Sequence, residues 1–226
     1  MRRNIQIVGW TLIWSGLLVL GYVGWELFAT DVINARIQTE ARSSVVSTLA
    51  ESRETLPAAE EFEEGADVVE FHREEAPDVG AELGIFRIAR LDLEVVVFEG
   101  VDRQTLKNGP GHMPGTALPG QPGNAVISGH RTTYGRPFFD LDRLLPGDRI
   151  EVETAIGVSV YEVRSSEIVD PTDVWVTDDR PGGWLTLTTC HPKFSARQRL
   201  IIFAELIQGP NLDYVSLLED RLDNLG

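Results

Sequence analysis

One stretch of this chain carries a thiol, an imidazole and two guanidinium groups within ten residues: Trp184-Leu-Thr-Leu-Thr-Thr-Cys190-His-Pro-Lys-Phe-Ser-Ala-Arg-Gln-Arg199-Leu-Ile-Ile-Phe203. Two β-prone runs flank His191–Ala196, which reads as a turn. Centring the turn between Phe194 and Ser195 pairs Cys190 with Arg199, Leu187 with Ile202 and Leu185 with Ala204. Strand alternation then makes one face apolar, with Leu185, Leu187, Leu200, Ile202 and Ala204. The other face carries Thr186, Thr188, Cys190, Arg197 and Arg199. A slip of one residue would break this pairing, so the register is a sharp expectation.

The pairing matters because a free thiol of pKa about 8.5 is only a few per cent thiolate at neutral pH. A neighbouring guanidinium stabilises the thiolate. The same group can hold the oxyanion formed when a thiolate attacks a carbonyl, a donor role typically worth about 3–4 kcal/mol. Arg197 shares the face and competes for the role, and an arginine there could equally serve only to keep an edge strand soluble. Cys190 is the only cysteine, so no internal disulfide is available.

Acyl transfer also needs a proton carrier, and there are four histidines. His72 lies in an acidic stretch, and His191 points away from Cys190 in strand geometry. His112 sits in the loop-like Gly109-Pro-Gly-His-Met-Pro-Gly115. His130 ends the strand-like Asn124-Ala-Val-Ile-Ser-Gly-His130, where a strand can fix a side chain that faces a cleft. His130 and His112 both stay in play on these grounds. Zinc is not expected, because Cys-x-x-Cys or His-x-x-x-His spacing is missing. Gly109–Gly123 has no Lys-Ser/Thr pair and reads as turns, not as a phosphate loop.

The elements that must position these groups follow Gly84. Short apolar runs separated by Gly and Pro mark strands at Ile85–Arg90, Leu93–Phe98, Ala125–Ser128, Arg149–Glu153, Gly157–Ser165, Trp184–Thr189 and Leu200–Ile207, with helical turns near Arg103–Lys107 and Pro137–Leu144. Such a succession predicts an all-β antiparallel barrel or sandwich. Ahead of it, Asn4–Trp25 carries no charge and, as a helix, would span about 33 Å, enough for a hydrocarbon core of about 30 Å. Arg2 and Arg3 before it, with Glu26 and Asp31 after it, place the N-terminus inside the cell and the rest outside. A cleaved signal peptide fits less well, since the uncharged stretch is long and no Ala-x-Ala site follows.

Between anchor and strands the chain is acidic. Val32–Leu56 has loose helical spacing (Val32, Ile33, Ile37, Val45, Val46, Leu49) and Pro57 ends it. Ala58–Asp78 is Glu-rich and poor in large apolar residues, so a solvated stalk is expected. The formal charge of −15 argues against nucleic-acid binding.

The longer phrases resemble a known family. Thr186-Leu-Thr-Thr-Cys190 with Arg199 nine residues on and His130 sixty residues upstream is similar to the signature of the sortases. Gly109-Pro-Gly-His112, Gly115-Thr-Ala-Leu-Pro-Gly120, Ser128-Gly-His-Arg-Thr-Thr-Tyr-Gly135 and Thr189-Cys-His-Pro-Lys-Phe-Ser-Ala-Arg-Gln-Arg199 resemble the class E sortases of actinobacteria. The resemblance runs from about Gly84 to Ile207 and implies a closed eight-stranded β-barrel preceded by a transmembrane helix. It implies Cys190 as nucleophile, His130 as general acid/base, Arg199 as stabiliser of substrate and oxyanion, and Thr189 as a substrate contact. It settles no role for His112, which is left as pocket lining. It further implies cleavage of a C-terminal Leu-Ala-x-Thr-Gly-like sorting signal between Thr and Gly, and transfer of the Thr acyl group to an amine on a cell-wall precursor, with no cofactor. The partners are then secreted proteins bearing sorting signals, a peptidoglycan-precursor amine and the membrane. Two other readings are a pilin-polymerising enzyme that uses a protein lysine, and a non-catalytic module that binds sorting signals. The expected layout is a cytoplasmic N-terminus at 1–3, an anchor at 4–25, an extracellular stalk at 26–82, a catalytic barrel at 83–209 and a tail at 210–226.

Overall fold

In the computed structural model, residues 2–25, 30–64 and 67–224 are described. Met1, Glu26 (one of the residues expected to flank the anchor) and the last two residues of the expected tail lie outside them. The uncharged N-terminal stretch forms helix α1 (Arg2–Gly24), and its portion Gln6–Gly24 is long and apolar enough to cross a membrane.

The strands are β1 (Glu60–Glu64), β2 (Asp67–Phe71), β3 (Glu82–Ile88), β4 (Leu93–Glu99), β5 (Gly111–His112), β6 (Gly123–Ser128), β7 (Arg149–Thr154), β8 (Gly157–Val169), β9 (Gly183–His191) and β10 (Gln198–Gln208). Eight of them close a barrel in the order β10-β8-β7-β3-β4-β5-β6-β9. Neighbours are antiparallel except β4–β5 and β6–β9. Side chains alternate inward to form one core, with Phe86, Ile88, Ile127, Phe138, Ile150, Tyr161, Leu185, Leu187 and Ile202 fully enclosed. Each strand expected after Gly84 has its counterpart. The eighth, β5, is two residues long and falls in the segment expected as a loop, so His112 belongs to the barrel wall.

The helix expected over Val32–Leu56 is present, but the stalk it belongs to is not a solvated tether. Helix α2 (Thr30–Thr55) packs lengthwise on the barrel exterior, where Ala41, Val45 and Leu49 are buried against Ile85, Val96, Phe98 and Ala155. The docked stripe is Asn34, Gln38, Ala41, Val45 and Leu49, one residue per turn. Val32, Ile33 and Val46 of the expected pattern face solvent. Burying Val45 and Leu49 contributes on the order of 3–5 kcal/mol. Gln38 completes the fit: its Oε1 accepts from Val96 N at 2.8 Å and its Nε2 donates to Val96 O at 3.2 Å. Gln38 thereby caps the edge of β4, whose pairing with β5 covers only Phe98 and Glu99. At the far end Arg53 donates to Ala155 O and Thr154 O and pairs with Glu153.

Acidic residues beyond Pro57 are ordered too. The helical turn expected near Arg103–Lys107 is helix α3 (Arg103–Asn108), and β1 and β2 form a hairpin against helix α4 (Leu212–Asp223), where Tyr214 stacks on Phe71 at 4.5 Å and meets Phe62 at 4.7 Å. The expected tail is therefore a helix with Val215 and Leu217 buried. Glu74 follows the hairpin and accepts from Thr154 Oγ1 at 2.5 Å and Ala155 N at 3.1 Å. Burial pushes its carboxyl above the usual carboxylate range. The stalk lacked partners only within itself; the barrel and α4 supply them.

Candidate active site

The hairpin β9–β10 has the register expected from its sequence: Cys190 pairs with Arg199, Leu187 with Ile202 and Leu185 with Ala204. Direct pairing places the two side chains on one face, with Cα atoms roughly 4.5–5.5 Å apart. The face is not uniformly polar, because Ile201 and Phe203 on it are buried under Val169, Val176 and Trp184. Cys190 stands at the open end of that face, half-buried and with a free thiol.

His130 comes from the other side of β9. Strand β6 runs parallel to β9 up to the pair Ser128–Thr188. Gly129 N then donates to Thr188 O at 3.1 Å, and Thr189 Oγ1 donates to Gly129 O at 2.7 Å. The chain thus leaves β6 alongside Thr188 and Thr189, and His130 is the next residue, beside the strand that carries Cys190. Position 129 must be glycine, because a Cβ there would lie 2.5 Å from the Phe138 ring. Phe138 N in turn donates to His130 O at 3.1 Å, fixing the backbone at the histidine. The His130 ring packs against the Tyr134 ring at 5.0 Å, and partial burial holds its pKa below the usual 6.5, since imidazolium is the form that loses hydration.

Adjacent strands β6, β9 and β10 thus deliver imidazole, thiol and guanidinium in that order across one end of the barrel. Arg199 Nη1 donates to Ala196 O at 2.9 Å and Gln198 O at 3.0 Å, so the turn itself orients the guanidinium. Among the described residues its Nε and Nη2 protons have no partner, which leaves them for a ligand. Among the described residues, Arg197 forms only a contact through its backbone, its N–H donating to Ser195 Oγ at 3.3 Å.

The two residues expected to contact substrate are both enclosed. His112 is 1 % exposed; its Nδ1 lies 2.7 Å from Glu99 Oε2 and its Nε2 2.8 Å from Ala117 O. A carbonyl oxygen only accepts, so Nε2 carries a proton and both ring nitrogens are engaged inside the wall. His112 is therefore corrected from pocket lining to a buried strut. Thr189 is buried as well, and its hydroxyl ties the nucleophile strand to the carbonyl that precedes His130.

Arg131 is the residue sequence reasoning passed over. It is 2 % exposed, and its Nη1 donates to Cys190 O at 3.2 Å and to His191 Nδ1 at 3.0 Å. Its Nη2 pairs with Asp142 at 3.1 Å, and Asp142 and Asp140 both reach Lys193 in the β9–β10 turn. The loop after His130 and the turn after Cys190 are thereby held as one unit. The available signal was an arginine directly after the candidate base, with two aspartates in the loop that follows. A cavity of about 350 Å³ lined by Leu49, Leu56, Glu74 and Leu83 lies at the seam between α2 and the barrel, away from these groups.

Comparison with known proteins shows which family the chain and its fold resemble. Residues 86–207 match the family model described as Sortase domain. The chain is 30 % identical over 219 residues to Sortase SrtE1 of Streptomyces coelicolor, covering 90 % of this chain and 57 % of that protein's length. It is 28 % identical over 207 residues to Sortase D of Bacillus subtilis, covering 89 % of this chain and 98 % of that protein. Among solved structures, sortase E1 of Streptomyces coelicolor with a tripeptide in the active site superposes with a TM-score of 0.55 at 32 % identity, over 60 % of this chain and 92 % of the other.

Proposed function

The chain belongs to the sortase family of cysteine transpeptidases, and from that premise we propose that it cuts a C-terminal Leu-Ala-x-Thr-Gly-like signal between Thr and Gly and passes the Thr acyl group to a cell-wall precursor amine. The observation that carries the reading is the neighbouring placement of Cys190 on β9, Arg199 opposite it on β10, and His130 just past the end of β6, where Gly129 is tied to Thr188 and Thr189.

The steps follow from the groups. Cys190 Sγ, as thiolate, attacks the Thr carbonyl carbon, and Arg199 holds the oxygen that gains charge. Collapse breaks the Thr–Gly C–N bond, His130 gives its proton to the departing Gly nitrogen, and a thioester remains on Cys190. An incoming amine then attacks the thioester, His130 takes its proton, and the thiolate leaves. Two easier acyl transfers replace one amide exchange. Helix α1 serves as a single-pass anchor with the N-terminus inside, so the barrel works at the outer membrane face where secreted proteins and wall precursors meet.

The test is a full-length preparation incubated with a Leu-Ala-x-Thr-Gly peptide and an amine. The expected product joins the amine to the Thr carboxyl with release of the Gly-containing piece; no exchange with any such peptide overturns the reading. In the same assay Arg199→Ala is expected to lower kcat/KM about 10²–10³-fold, the usual effect of removing one oxyanion donor. Arg199→Lys recovers little, since an ammonium cannot both satisfy the two turn carbonyls and present a planar pair of donors. Full recovery in Arg199→Lys would show that charge alone suffices.

A further inference from the structure

The loop that follows His130 has an unusual backbone. Tyr134 (φ 52°), Gly135 (φ 77°) and Arg136 (φ 51°) stand consecutively in the left-handed region, which two of the three residue types rarely adopt. Such a segment persists only where its surroundings impose it. Here the imposing groups come from the first turn of α2, about a hundred residues earlier in the chain. Asp31 Oδ1 accepts from Gly135 N at 3.0 Å, and Asp31 Oδ2 pairs with Arg136 Nε at 3.1 Å.

Asn34 completes the grip. It is buried, its Nδ2 donates to Lys107 O and Asn108 O at 2.9 Å each, and its Oδ1 fills the space that a Cβ at Gly135 would need. Lys107 in turn lies 5.8 Å from the centre of the Tyr134 ring, on the ring whose other neighbour is His130. A continuous chain of contacts therefore runs from Asp31 through Gly135 and Tyr134 to the imidazole.

We infer that Asp31, seven residues beyond the end of the membrane-crossing helix α1, is a positioning residue for His130, so that the catalytic histidine is set in place by the segment leading out of the membrane. Docking of α2 then does more than stabilise the barrel: its first turn completes the active site. The inference rests on the reading of His130 as the acid/base.

The experiment compares Asp31→Ala, Asp31→Asn and Arg53→Ala in the full-length chain. Arg53 fastens the opposite end of α2, far from His130, so it reports what looser helix docking alone does. Asp31→Ala is expected to lower kcat about tenfold with KM within about twofold, since a small misplacement of a reacting group acts on the chemical step. Asp31→Asn keeps an acceptor for Gly135 N–H and recovers to within about threefold of the wild type, and Arg53→Ala leaves kcat within about twofold even where it lowers the melting temperature. The ring resonances of His130, assigned with His130→Gln, move in Asp31→Ala and stay in place in Arg53→Ala. Equal losses of kcat in Asp31→Ala and Arg53→Ala, or unmoved His130 resonances in Asp31→Ala, overturn the inference. If Asp31→Ala does not fold, Asp31→Leu, which keeps the bulk but has no acceptor for Gly135 N–H, carries the same comparison, and an unmoved His130 signal with unchanged kcat there overturns it as well. The resonances need no turnover, so they judge this inference even if Cys190→Ala were to work like the wild type and remove the functional reading.

Discussion

Cys190→Ala is expected to lose both peptide cleavage and amine transfer, by at least about 10⁴-fold, because the covalent step has no second nucleophile to carry it. Cys190 is the only cysteine in the chain. Substitution should leave the fold intact: the side chain is half-buried at the end of a strand whose inward neighbours, Leu185 and Leu187, make the core. Peptide binding should survive, since the groups that orient the Cys190 backbone, Arg131 and the Thr189–Gly129 link, are untouched. Retained turnover in a correctly folded Cys190→Ala chain would transfer the chemistry to some other group.

His130→Gln is expected to reduce kcat about 10²–10⁴-fold, the range for loss of a positioned acid/base. It should also remove one limb of the pH profile, whose sign follows from proton counting. The working pair of Cys190 and His130 shares a single proton, with thiolate and imidazolium as the reactive arrangement. As pH falls, His130 takes up a second proton for the pair, the working state is lost, and activity declines through that midpoint. Burial disfavours imidazolium, which places the midpoint below the usual histidine value of 6.5. A rate profile of kcat/KM against pH checks this. An acidic limb at or above 6.5, or one that persists unchanged in His130→Gln, would contradict the assignment. The lowered value has a second consequence: little imidazolium exists at neutral pH, and slow turnover is expected.

What could be read from sequence was set by the range of the interactions concerned. The β9–β10 register was legible because alternation of Leu185, Leu187 and Ile202 and a turn-prone Pro192–Ser195 are local features. Strand β5 was not, because alternation needs more than the two residues Gly111 and His112. That omission is why His112 was taken for lining instead of wall. The docked stripe of α2 stayed hidden because two of its five members, Asn34 and Gln38, are polar, and their value lies in carbonyls and an amide supplied by β4 and the end of the helix Arg103–Asn108. The acidic hairpin looked unable to order itself, and within itself it lacks the means. Its apolar partner Tyr214 lies more than 140 residues away. Arg131 and Asp31 share this character: each does its work through a contact with a distant loop, which spacing along the chain does not record.

The identity of the thioester can be read directly by mass. A Leu-Ala-x-Thr-Gly peptide mixed with the full-length chain and quenched in acid before the amine is added should leave an adduct equal to the peptide through Thr, less the departing Gly-containing piece. Fragmentation should place that adduct on Cys190, and hydroxylamine should release it. An adduct mapped to any other residue, or rapid exchange with no covalent species at any quench time and undiminished in Cys190→Ala, would contradict acyl transfer through this sulfur.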